Sequence, residues 1–559
     1  MLQEVRQRDP IFEYFKYFFK MNMRSPLKLS VFGIMSFITL LTGCKATKNT
    51  STMNSENTDK IKRVSVLHTN DMHGSYMPFQ TTLDNATAQT GDSIDNLMRF
   101  EKEAKIGGIA RIATVVNSIR KEKGNDHVIL FDGGDTFSDD QLGNLTKGEA
   151  MVRMMNELNY ALMVLGNHDF DYSLERTREL DQIANFPMRA ANITDQKTGN
   201  PIFKDPYLVL ERGDLKIGVL PIGYRNTPLT GNSKNIEGLQ FIKGIEAVQK
   251  YLPELKDKTD IIILLSHEGM AVDKIIAEKI NGIDLIIGAH SHDVIEPPIK
   301  INHTYVVQAL SDAAVLGETE LLITNKKLSG INTKYHYLWH DTYTADEELE
   351  KLVKELRKPY ISQLEEKITK TDTVIGRQYK SESPFDKVVT TLMRNNFKTD
   401  VAFLPGVGYG ISLNENITSE DIYKLLPHPA KVVTLEMTGE QIRKTLEQTA
   451  TNLKPENKMD IVGGLIQSSG IHYHLDLSKP IGKRVSDVKI KNSAIVDNEV
   501  YKVATHSGML NGIHNYVEFA KGTNIKKTDI VLTEFILDTF RKMAKLDFPE
   551  NMGEVRVNK

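Results

Sequence analysis

The chain has 559 residues, with 70 Lys and Arg against 73 Asp and Glu, and one cysteine, Cys44. That length exceeds one ordinary domain, the charge balance excludes a strongly basic surface for a nucleic acid polymer, and a lone cysteine excludes an internal disulfide or a thiolate metal cluster. Any metal must be held by His, Asp, Glu or Asn side chains.

Residues 1–44 read as a leader. In MNMRSPLKLSVFGIMSFITLLTGC, Arg24 and Lys28 precede a nearly continuous apolar run at 29–41. The run suits a signal sequence and is too short for a comfortable membrane span. LTGC, which ends at Cys44, resembles the bacterial lipobox, implying cleavage before Cys44 and lipid on its sulfur. Residues 1–20 do not fit a signal peptide, so translation is expected to begin at Met21 or Met23. Residues 45–60 are polar, without hydrophobic period, and read as a flexible tether. The expected location is extracytoplasmic, lipid-anchored to a bacterial membrane at the periplasm or cell surface; one lipid group binds only marginally, so further acylation is expected.

Five apolar runs then share one pattern. RVSVLHTNDMHG delivers Asp71 and His73, HVILFDGGDTF delivers Asp135, and ALMVLGNHDFD delivers Asn167, His168 and Asp171. DIIILLSHEG delivers His267, and IDLIIGAHSHD delivers His290 and His292. Each run is short and rich in Val, Ile and Leu, as in a strand covered on both faces. Helical patterns such as GGIARIATVVNSIRKEK and KGEAMVRMMNELNY fill the gaps. This alternation predicts a layered α/β sheet, whose ligands bind beyond the carboxyl ends of the strands. A single Asp-x-His or Gly-Gly-Asp is most often a turn; five successive strand ends carrying carboxylates and imidazoles point to divalent zinc, manganese, iron or cobalt rather than calcium. The ligands are too many for one ion. Two ions about 3.5–4 Å apart call for a bridging carboxylate, and Asp135 on its glycine turn is the natural bridge.

LHTNDMHG, GGIARIAT, FDGGDTF, GNHDFDY and LSHEG resemble, in order, the motifs of the calcineurin-like metallophosphoesterases, and more narrowly the secreted 5′-nucleotidase, UDP-sugar hydrolase and 2′,3′-cyclic phosphodiesterase family. The resemblance implies an N-terminal four-layer α/β/β/α sandwich at 61–340, a long linker helix at 341–370 and a smaller α/β substrate domain at 371–559. It implies two divalent ions (zinc, manganese, iron, cobalt or magnesium), one on Asp71, His73, Asp135 and His292, the other on Asp135, Asn167, His267 and His290. It further implies phosphate-ester hydrolysis by metal-bound hydroxide, with His168 as the cationic imidazole in the transition state and Asp171 holding its other nitrogen.

Beyond Trp339, TADEELEKLVKELRKPYISQLEEKI has the period of an amphipathic helix, and ITSEDIYKLLPHPAKVVTLEMTGEQIRKTLEQT reads as capped helix, strand and second helix. The family's nucleotide contacts are not matched. Gly410, after Tyr409 in LPGVGYGIS, stands where the family has an arginine. His428 stands in an aromatic position, Gly508 replaces a second aromatic and His514 an acid. Loss of the arginine removes a bidentate anion fork. Tyr409, Gly410, His428, Gly508 and His514 are therefore the substrate-binding expectations, with His506 and Tyr516 as further pocket residues and Lys431 as a substitute charge. The expected substrate is a small phosphate ester, nucleotides first. Two alternatives stand beside it: the same metal core acting on another phosphate ester or, like the family's thiosulfohydrolase, on a sulfur oxyanion ester, and a non-catalytic surface binding protein.

Overall fold

The computed structural model describes residues 61–81 and 100–558; the expected leader, Cys44 and the tether lie outside them. Each of the five apolar runs forms a strand: Lys62–Thr69, Val128–Asp132, Leu162–Val164, Ile261–Ser266 and Leu285–Gly288. The first three lie side by side and parallel in one six-stranded sheet, with an antiparallel hairpin, Val315–Thr324 and Lys327–Tyr337, on the edge beside Lys62–Thr69. The last two lie parallel in a second six-stranded sheet, flanked by the parallel strands Leu215–Ile222 and Thr304–Val307.

Alternation along these strands builds the layers. Val64, Val66, Ile129 and Phe131 join Ile217, Ile261, Ile263 and Ile287 in an apolar core between the sheets. The intervening Leu67, Val128 and Leu130 pack instead under the helices Ile109–Lys123 and Glu149–Asn156. On the second sheet, Ile262, Leu264 and Ile286 pack under Gly244–Lys258 and Met270–Lys279. The result is the expected α/β/β/α sandwich.

The connecting helix is shorter than 341–370. It runs Glu347–Arg357, passes through a 3-10 turn at Lys358–Tyr360 and ends at Leu364; Lys367–Lys370 is already a strand. Pro359 accounts for the interruption, because it supplies no backbone N–H and crowds the preceding turn.

The C-terminal part holds a mixed five-stranded sheet ordered Gln467–Ser469, Val401–Leu404, Val500–His506, Lys431–Thr438, Thr523–Val531. The two helices expected there start at full capping boxes, Thr418 with Asp421 and Thr438 with Gln441. Each satisfies two otherwise unpaired donors of a helix start.

The N- and C-terminal parts share an apolar cluster in which Phe79, Ala309 and Leu310 join Ile375, Phe385 and Leu413. A buried polar knot lies at the same junction. Tyr76 Oη donates to Glu420 Oε1 at 2.6 Å, and Arg357 Nη1 donates to both Glu420 oxygens at 2.7 and 2.9 Å. Breaking one side of such a buried pair is costly because the other charge is stranded. Glu420→Ala is expected to lower stability by about 3 kcal/mol in urea unfolding. A loss below about 1 kcal/mol would mean that the exposed partner of Arg357, Glu365, already neutralises it.

Candidate metal centre and active site

The parallel strands end at one edge of each sheet, so their following loops meet. Asp71 N–H donates to Gly134 O at 2.9 Å, and His73 N–H to Asp135 O at 2.9 Å. His290 N–H crosses from the second sheet to Asp71 Oδ2 at 2.9 Å. Asp169, which the sequence reading passed over, ties two loops together by accepting from Asp135 N–H, Thr136 N–H and Gly166 N–H at 2.8, 3.0 and 2.8 Å. Asp71, His73, Asp135, His290 and His292 all have positive φ, between 44° and 72°. Such conformations cost about 1–3 kcal/mol each and persist only where the surroundings enforce them. Gly166 is needed for the close approach: a Cβ there would lie 2.2 Å from Asp135 Oδ1.

The side chains form two groups. Asp71, His73 and His292 bring one ligand atom each within 4.8 Å of one another, as do Asp135, His267 and His290. The residues fit divalent cations. Asn167 Oδ1 is buried without a hydrogen-bond partner, His267 Nε2 lies 3.1 Å from Asp135 Oδ2, and His73 Nε2 faces His292 Nε2 at 3.1 Å, two nitrogens aimed at a common point. His267 Nδ1 meets Gly133 O at 2.6 Å, which fixes the ring so that Nε2 is the free ligand atom. Burial opposes charge here, yet the imidazoles of His292 and His267 pull the Asp71 carboxyl below its usual range, and His267 and His168 do the same for Asp135. Against its own burial, His267 is raised to about 10 by Asp135 and Asp71. A bound cation would take over that proton's balancing role, so metal uptake releases protons.

His168 stands beside these groups. Its Nδ1 lies 2.8 Å from Asp171 Oδ2 and 3.2 Å from Asp139 Oδ2. Burial opposes protonation, but Asp139, Asp171 and Asp135 raise the imidazole well above its ordinary value. With Nδ1 engaged, Nε2 is the nitrogen left to hand a proton to a bound molecule. Asp139 also meets His73 Nδ1 at 2.8 Å, linking the imidazole to a metal-ligand candidate.

Two family models match the chain: calcineurin-like phosphoesterase over residues 64–294 and the 5′-nucleotidase C-terminal domain over residues 361–521. The chain belongs to the calcineurin-like phosphoesterases that carry a 5′-nucleotidase C-terminal domain. It is a phosphoester hydrolase. Protein UshA of Escherichia coli (strain K12) is 25% identical over 89% of this chain and 94% of its own length. Among solved structures, a 5′-nucleotidase precursor from Thermus thermophilus superposes with a TM-score of 0.78 at 22% identity, covering 89% of this chain and 99% of that one. A sulfate thiohydrolase from the same organism, SoxB, superposes at 0.80 with 21% identity over 88% and 96%. At these identities the two structures speak to fold alone.

The 5′-nucleotidase C-terminal domain roofs the metal groups and leaves a cavity of about 470 Å³ between the domains. Tyr409, His428, Gly508 and His514 line it, as does His506. The Tyr409 ring lies 5.7 Å from that of His73 and 5.4 Å from that of His168, directly over the centre. Gly410 does not line the cavity. Its φ is 122°, and a Cβ there would meet Leu425 and Arg377 at 2.8 and 3.3 Å. The expectation for Gly410 followed its place in the chain and not the direction its side chain would take. Tyr516 is buried in the core beside Phe519 rather than in the cavity, and Lys431 is spent on an exposed pair with Asp529. The sequence reading missed Tyr224, whose ring stacks on His290 at 3.8 Å. It also missed Arg377, which lines the cavity and stands over the Tyr409 ring at 5.4 Å while paired with Asp386.

Proposed function

We propose that the chain hydrolyses small phosphate esters, nucleotides first, with two divalent cations held by Asp71, His73, Asp135, Asn167, His267, His290 and His292. The observation that carries this reading is that His73, Asp135, Asn167, His290 and His292 line one cavity with a carboxylate-held His168, with Asp71 and His267 grouped beside them. When bound, the cations would lower the pKa of a water and neutralise charge on the phosphoryl oxygens. His168 would donate the proton from Nε2 to the leaving oxygen, and Asp171 would hold the ring at Nδ1. Tyr409, seated over the centre, would restrict water around the reacting phosphate. The match to the 5′-nucleotidase C-terminal domain and the cavity volume, within the usual span for small-molecule sites, support a nucleotide-sized substrate.

The cellular placement is part of the proposal: an extracytoplasmic enzyme anchored by lipid on Cys44. It rests on the basic, apolar and LTGC segments of the leader. Among the described residues, no helix is long and apolar enough to cross a membrane.

The test is hydrolysis by the chain from residue 45 onward, reloaded with Mn²⁺ or Zn²⁺. AMP, UDP-glucose, a 2′,3′-cyclic nucleotide, 4-nitrophenyl phosphate and its bis-ester would be run in parallel. Higher kcat/KM for AMP or UDP-glucose than for the nitrophenyl esters is expected. Turnover of the generic esters without nucleotide preference would keep the hydrolase and remove the nucleotide. No turnover of any ester by metal-loaded protein would remove both.

A further inference from the structure

A third set of metal-ligating groups meets between the domains. Asp139, His168 and Asp171 from the N-terminal domain and His428 from the C-terminal domain each offer one ligand atom within 4.8 Å of the others. None belongs to the two groups described above.

Asp139 sets this cluster apart. It is 2% exposed and held at φ 73°, one residue before the helix cap Asp140. Its Oδ2 is well used: His73 Nδ1 lies at 2.8 Å, His168 Nδ1 at 3.2 Å, and Ser138 Oγ donates to it at 3.4 Å. Its Oδ1 is buried with no hydrogen-bond partner. A buried carboxylate oxygen in that condition calls for a cation or proton donor. What it faces is His428 Nε2, at 3.5 Å. Two ligands at 2.0–2.2 Å from a tetrahedral ion lie roughly 3.4 Å apart, so this pair already stands at ligand spacing. On its other side, His428 Nδ1 lies 3.8 Å from Asp171 Oδ2.

We propose that Asp139, His168, Asp171 and His428 form a third cation site, bridging the two domains, for a borderline transition-metal ion such as Zn²⁺ or Co²⁺. Two imidazoles with two carboxylates suit such an ion better than calcium or magnesium. The His428 side chain is 38% exposed, so the ion exchanges with solution and binds more weakly than at the enclosed pair. Occupancy ties the C-terminal domain to the catalytic domain.

The test is cobalt titration of the metal-free full chain, followed by equilibrium dialysis and absorbance. The wild type is expected to bind three equivalents, the last most weakly. His428→Phe, which keeps the stacked ring without a ligand atom, is expected to bind one fewer. His428→Cys is expected to restore the lost equivalent with a thiolate-to-cobalt charge-transfer band in the near ultraviolet. Equal uptake by wild type and His428→Phe, or a cysteine variant without that band, would overturn the third site and leave the pair standing. A His428-dependent equivalent in a chain that binds fewer than three in all would support the third site and count against the pair.

Discussion

Replacing His168 by alanine is expected to lower turnover by roughly 10²–10⁴, the span for loss of a positioned general acid, while the two cations of the Asp71 and Asp135 groups stay bound. The two halves of that result come from different atoms. The imidazole is held through Nδ1 by Asp171 and Asp139 and has no place among the groups around Asp71 and Asp135. The contact His168 makes with the metal groups is through its backbone: its N–H donates to Asp135 Oδ1 at 2.7 Å, and alanine keeps that bond. At about 1.4 kcal/mol per tenfold change, the loss corresponds to about 3–5.5 kcal/mol of transition-state stabilisation. Turnover by stopped assay and metal by plasma emission, on one preparation, decide the matter. Loss of the two cations of the Asp71 and Asp135 groups together with activity would make His168 a ligand of that pair. A change below about tenfold would move the proton transfer elsewhere, with His428, stacked parallel to it at 5.5 Å, the nearest imidazole on the substrate side.

Most of the metal groups were legible in the sequence because parallel strands do the positioning. Once 62–69, 128–132 and 162–164 lie parallel in one sheet, and 261–266 and 285–288 in the other, residues just past their carboxyl ends must converge. Short spacing alone put Asp71, His73, Asn167, His290 and His292 there. Residues that arrive by other routes left no such trace. Asp139 sits in FSDD, beyond the strand end that delivers Asp135, and was not singled out. The neighbouring Asp140 is a helix cap, accepting from Gly143 N–H and Leu142 N–H, and Asp139 acquires its partners only when 73, 168 and 428 close over it. Tyr224 follows the strand Leu215–Ile222, which ends without a carboxylate or imidazole and so gave no signal. Gly410 shows the limit of reading a position without a direction, since its missing side chain would point at Leu425 and not at the cavity. The connecting helix shows another limit: amphipathic spacing continued past Pro359, but the backbone did not remain α-helical.

Asp135→Asn is expected to remove both cations and to lower turnover by roughly 10⁴ or more, because the metal chemistry depends on both ions. Asparagine keeps the volume of a side chain that is 2% exposed, so packing is preserved; what goes is the charge. That charge is shared among several groups of the centre. Asp135 Oδ2 lies 3.1 Å from His267 Nε2, its Oδ1 receives the His168 backbone N–H, and the imidazoles of His267, His168 and His73 all act on its carboxyl. Two cations about 3.5–4 Å apart repel strongly without an anion between them, and among the carboxylates here only Asp135 is expected to touch both. Asn167→Ala is the contrast. It deletes one neutral oxygen, Oδ1, from one side, so that variant is expected to keep at least one equivalent of metal. The measurement is metal per chain after dialysis against a weak chelator, for wild type and both variants. If Asp135→Asn still carried two equivalents, the bridge would lie elsewhere, and Asp71, whose Oδ1 is 3.9 Å from His267 Nε2 and 3.4 Å from His292 Nε2, is the carboxylate placed to take that role.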